Sequence, residues 1–88
     1  MESKAQKAAL AKIKEDIDYL ISRAKLEPKY SDAEYNKLLD LTRNIKSYIE
    51  YYGLEERLFT DAINKTYDTL MESGRYGDAA SFAKEYGL

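Results

Sequence analysis

The 88-residue chain contains no cysteine and no histidine, and each absence removes a class of chemistry. Without cysteine there is no disulfide, no thiolate nucleophile and no thiolate metal site. Without histidine, the commonest general base and the commonest imidazole metal ligand are missing as well. No apolar run is long enough to cross a bilayer. The opening MESKAQKAALAKIKEDID interrupts its apolar residues with lysines and never builds the core of a signal peptide. The expected address is therefore cytoplasmic. Glycine-rich phosphate loops, nucleophile elbows and metal-binding helix motifs are also missing. Carboxylates are plentiful, but Glu15, Asp16 and Asp18, like Glu55 and Glu56, stand too close in sequence to converge. Neighbours one apart on a helix point about 100° away from each other, and neither group forms the oxygen-rich loop of a calcium site. The expectation is a protein without catalysis, cofactor or metal.

What is present describes one folded helical domain spanning residues 1–88. Hydrophobic residues make up 44% and charged residues 34%, outside the range of disordered chains. Abundant Lys, Glu, Ile and Tyr with few labile residue types suit a thermophile's protein. The net charge of −2 opposes a protein devoted to neutralising phosphates. Charge is graded along the chain: residues 1–30 carry seven basic and five acidic side chains, and residues 54–88 four basic and seven acidic.

Periodicity divides the chain into a four-helix array, with helices near 3–26, 31–52, 54–73 and 75–86. In the first, Leu10, Ile13, Ile17, Leu20 and Ala24 recur at alternating spacings of three and four, a short heptad seam. Its alanine- and lysine-rich first turns are expected to fray. The only proline, Pro28, breaks the chain, and Ser31-Asp32-Ala33-Glu34 then reads as a capping box. The second helix turns Leu38, Leu41, Ile45, Tyr48, Ile49 and Tyr52 inward, with Tyr35 and Thr42 at the margins. Gly53 either ends this helix at a corner or sits inside a kinked rod. The corner is favoured, because glycine in a helix interior costs about 1 kcal/mol.

The third helix carries the widest apolar face, Leu58, Phe59, Ala62, Ile63, Thr66 and Leu70, and should be the most enclosed. Gly74 ends it, and Tyr76, Ala79, Ala83 and Tyr86 form the expected inner stripe of a fourth helix stopped by Gly87. Residues expected in the core are Leu10, Ile13, Ile17, Leu20, Leu38, Ile45, Ile49, Leu58, Ala62, Leu70 and Ala79.

Gly74, Tyr76 and Ala79 resemble the turn and second-helix start of a tetratricopeptide-type hairpin, a likeness that covers residues 58–87. Thr66, Tyr67 and Tyr86 depart from that repeat, and no proline closes the unit. The resemblance implies binding to another protein and no catalysis.

Nine tyrosines are unusually many, and tyrosine serves core margins and binding surfaces alike. Tyr19 and Tyr51 fall off their helices' apolar stripes, as does Leu39. These three are the candidate partner-binding residues of a protein-interaction module that meets a separate protein partner or forms a homodimer. The alternative is a nucleic-acid-binding protein that uses Lys4, Lys7, Lys12 and Lys14 of the first helix.

Overall fold

A computed structural model describes residues 3–25 and 31–88, with the side chains of 31–33 excepted. Four α-helices occupy them: α1 (Lys4–Ala24), α2 (Ser31–Tyr51), α3 (Arg57–Glu72) and α4 (Tyr76–Tyr86). No strand occurs among the described residues. The expected break at Glu27–Tyr30 and the Ser31 and Asp32 side chains at the start of α2 lie outside them.

The helix ends follow from a few residues. Ser3 and Gln6 form a reciprocal capping box: the Ser3 hydroxyl accepts from the Gln6 amide, and the Gln6 side chain accepts from the Ser3 amide, both at 3.1 Å. Gln6 Nε2 also donates to the Tyr52 carbonyl at 2.9 Å, tying the start of α1 to the end of α2. The first turn is thus capped and cross-linked, where the alanine- and lysine-rich composition had suggested fraying.

At Gly53 and Gly74 the chain takes positive φ, +63° and +76°, and each glycine completes a Schellman closure. Leu54 N–H reaches the Ile49 carbonyl at 2.9 Å, and Arg75 N–H the Leu70 carbonyl at 2.9 Å. Gly53 therefore makes a corner, and α3 begins only at Arg57, three residues after the expected start. Leu54, Glu55 and Glu56 are spent on the turn, which tightens through three-residue bonds from Leu58 to Glu55 and from Phe59 to Glu56.

The core is one cluster fed by all four helices: Ile13, Leu20 and Ala24 from α1, Leu38, Ile45 and Ile49 from α2, Ile63 and Leu70 from α3, and Ala79 and Phe82 from α4. As its broad apolar face predicts, α3 packs against all three of the others. Leu10, Ile17 and Leu58, expected in the core, are half-buried at its margin, while Ala9, Ile21 and Thr69 are buried instead.

Two further differences have physical causes. Thr42, expected at the margin, is completely buried, and its hydroxyl meets both the Leu39 carbonyl and the Tyr86 hydroxyl. In α4, Tyr76 is 64% exposed and Phe82 is fully buried. The inner stripe is thus Arg75, Ala79, Phe82 and Tyr86, a helical spacing of four, three and four; it keeps Ala79 and Tyr86 of the expected stripe and takes the residues just before Tyr76 and Ala83.

Arg75 sets that register. Its side chain is buried, Nη1 donates to the Arg23 carbonyl at the end of α1 (2.9 Å), and Nε donates to Asp78 Oδ2 (2.9 Å). Beside it, Arg23 donates twice to the Tyr19 hydroxyl and pairs with Glu34 of α2 at 3.1 Å. The hydrogen bonds to Tyr19 hold the Arg23 guanidinium above its ordinary pKa against the opposing pull of desolvation, and Glu34 adds to the rise.

Candidate functional site at the corner between α2 and α3

The closure at Gly53 brings the end of α2 against the start of α3 without filling the angle between them. Ile49 reaches the corner from α2, Leu54 from the turn and Phe59 from the first turn of α3. With Lys46, Glu50 and Glu56 they line an open cavity of about 310 Å³. Ile49 is buried, whereas Leu54 and Phe59 are only partly covered. The floor is thus apolar and reachable from solvent, and the rim is charged. Phe59 is held edge-on to Tyr86, with ring centroids 5.7 Å apart. On its far side it lines a smaller recess of about 90 Å³ with Thr60, Ile63, Tyr86 and Leu88.

The rim charges are arranged unevenly. Lys46 Nζ lies 5.8 Å from the centre of the Phe59 ring, so that cation leans over the aromatic floor. Glu55 shares its charge with Arg57 at 3.4 Å. Among the described residues Glu50 and Glu56 make no salt bridge. Glu56 occupies the N-cap position of α3 yet makes no side-chain cap bond, so its carboxylate is not spent on its own helix.

The three candidate partner-binding residues do not form one patch. Tyr19 is 47% exposed and borders a cavity of about 210 Å³ between α1 and α2, with Lys37, Asp40, Leu41 and Asn44. Its hydroxyl is already engaged by Arg23. Tyr51 is 82% exposed and stacks edge-on against Tyr52. Lys37, Asn44 and Tyr51 are seven residues apart and share one stripe of α2, so Tyr19 and Tyr51 look out on the same side. Leu39 does not. It is half-buried against the core, and the twelve residues separating it from Tyr51 carry it about 120° around and about 18 Å along the helix. It falls off the stripe because α2 is covered on two flanks, by α1 on one and by Thr42's contact with Tyr86 of α4 on the other.

The lysines of α1 divide similarly. Lys7 and Lys14 share a stripe, with Lys4 about 60° from Lys7. Lys12 lies on the opposite flank, 3.6 Å from Asp16 and 5.5 Å from the centre of the Tyr48 ring. The four do not make a continuous basic track.

Sequence reasoning missed Lys46, Glu50, Leu54, Glu56 and Phe59 as a set. The available signal was local: a partly apolar turn, Gly53-Leu54, followed by adjacent acids and then a large aromatic in the first turn of a helix.

No family model, curated protein or solved structure matches the chain. Among the described residues no helix is long and apolar enough to cross a membrane, and no group of three or more acidic side chains is gathered to hold a metal ion.

Proposed function

We propose that this chain is a small helical protein-interaction module that receives a segment of a partner protein in the corner groove between α2 and α3. The observation that carries the reading is the solvent-reachable apolar floor of Ile49, Leu54 and Phe59 inside a charged rim. An apolar centre with a polar border is the anatomy of a protein-binding surface. The reading assigns no catalytic step: among the described residues the rim carries two carboxylates and one lysine that leans on an aromatic ring. The likeness of the α3–α4 hairpin to a tetratricopeptide-type unit supports the same class of function. In it Gly74 takes the left-handed turn and Ala79 is fully buried. Nucleic-acid binding draws less support, because Lys12 is turned away from Lys7 and Lys14.

The test is selection of a random peptide library on the immobilised protein, followed by amide NMR shift mapping with the enriched peptides. Shifts centred on Ile49, Leu54 and Phe59 are expected. If no peptide is enriched, or if the shifts centre on Tyr19 and Asn44, the corner is not the binding surface.

A further inference from the structure

Building on the reading of the corner as a protein-binding groove, we infer that its occupant is a peptide segment with a large apolar side chain flanked by lysine or arginine. The apolar side chain fills the recess over Leu54 and Phe59, and the cationic head lies between Glu50 and Glu56. The charge arrangement is the argument. The two carboxylates come from different sides of the groove, one on α2 and one at the start of α3, and neither makes a salt bridge among the described residues. Lys46, the one cation on the rim among the described residues, stands over the Phe59 ring. An acidic segment would meet two like charges, and like-charge juxtaposition is a strong means of rejecting partners.

Size agrees with this occupant. A cavity of about 310 Å³ lies at the small end of ligand sites, which run from roughly 300 to 1,000 Å³. That is room for one or two side chains, with the rest of the segment lying across the surface. Lysine and arginine suit such a place, because their stems pack on apolar surface while the charged head stays in water. So small a footprint predicts a weak, quickly exchanging complex.

Three fluorescently labelled peptides titrated against the full chain test this by polarisation. The first has a phenylalanine between two lysines, the second replaces the lysines by glutamates, and the third keeps the lysines and replaces phenylalanine by serine. Only the first is expected to bind, and its affinity should fall as salt is raised past about 0.15 M. Glu50→Lys/Glu56→Lys should weaken it about tenfold and give the glutamate peptide measurable affinity. Both positions are exposed, so the fold should persist, with a melting temperature a few degrees lower because Glu56→Lys sets a cation at the start of α3; Glu50→Gln/Glu56→Gln provides a milder second variant.

Equal binding of the glutamate or serine peptide, or indifference to both variants, overturns the inference. A groove that prefers uncharged apolar peptides would do so while leaving the interaction reading intact. Failure of all three peptides together with an empty library selection would remove both. A dimer by light scattering that Glu50→Lys/Glu56→Lys dissociates would make the occupant a second copy, and that too overturns the partner assigned here.

Discussion

Replacing Arg75 by alanine should cost this protein a large share of its stability, although hydrophobicity would assign arginine to the exterior. The side chain is 1% exposed and joins two otherwise separate helix ends. Nη1 satisfies the Arg23 carbonyl, one of the orphan acceptors at the end of α1, at 2.9 Å. Nε donates to Asp78 Oδ2 at 2.9 Å, and Nη2 stands 2.8 Å from the same oxygen as an ion-pair contact without hydrogen-bond alignment. Removing one partner of a buried ion pair typically costs about 3–5 kcal/mol, and an orphaned buried acceptor about 1–3 kcal/mol. These are not additive, and the Asp78 side chain keeps 18% of its exposure, so water recovers part of the loss. The working estimate is about 3 kcal/mol. A chain of this length has a total stability of about 4–13 kcal/mol, so the loss is a large fraction of it. It corresponds to a fall in Tm of about 12–24 °C. Urea unfolding followed by far-ultraviolet circular dichroism measures it directly. Asp78→Ala and the double variant complete the cycle, and the double should cost clearly less than the two single losses together. Arg75→Lys should recover little, because an ammonium on a flexible stem cannot make both contacts in the guanidinium's fixed geometry. A loss below about 1 kcal/mol for Arg75→Ala, or strict additivity with Asp78→Ala, would refute the clamp.

Two glycines of the same hairpin should respond in opposite directions: Gly74→Ala should destabilise by about 1–2 kcal/mol, because φ is +76° there. Gly77→Ala lies inside α4 at an ordinary φ with open space around the new Cβ, and should stabilise by about 0.4–1 kcal/mol in the same urea assay. Phe82→Ala, at a fully buried site, should cost about 3–5 kcal/mol and loosen α4 from the core, visible as faster amide exchange in that helix. Tyr35 should titrate above the ordinary tyrosine value of 10.0, first because of burial and then because Glu85, Asp78 and Tyr86 oppose a phenolate, with Arg43 pulling weakly the other way. Since its folded pKa is raised, its contribution to stability is complete below pH 10 and is lost as pH climbs through the folded value. Phenolate absorbance should therefore contain a late-titrating component that is lost in Tyr35→Phe.

Much of the fold could be read from the order of residues because its determinants are local. Gly53 and Gly74 stop helices through their own left-handed conformation, and the heptad spacing of Ile13, Leu20 and Ala24 assigns one face of α1 to the interior wherever that interior is. Phe82 was missed for a non-local reason. The expected stripe of α4 starts from Tyr76 and runs through Ala79 and Ala83, because its charge places Arg75 outside. Once the arginine is inside, satisfied by a carbonyl from a helix fifty residues earlier, the stripe Arg75, Ala79, Phe82 and Tyr86 is regular and Tyr76 falls into solvent. Leu39 is half-buried, though it lies off the apolar stripe, for the complementary reason. A helix with neighbours on two flanks buries an arc wider than any single stripe, and only the tertiary arrangement says where that arc ends.

The corner groove is harder still to read, because it belongs to no element. Ile49 and Phe59 each look like ordinary core positions on their own helices. Glu50 looks like a solvated face and Glu56 like a favourable charge at a helix start. They become one site only through the angle at which α3 leaves α2. That angle depends on Gly53 at φ +63° and on the Leu54 amide reaching back to Ile49. Leu54 thus both shapes the site, through its amide, and lines it, whereas Gly53 shapes it without lining it. On the proposed reading a partner segment would meet Phe59, Leu54, Glu50 and Glu56, and the cavity exists because Gly53 ended α2 before it could cover them. On the protein-binding reading proposed above, recognition falls on surface that packing leaves open. That surface lies where the tight turn at Gly53 holds Leu54 and Phe59 at an angle, beside Glu50 and Glu56, which make no salt bridge among the described residues.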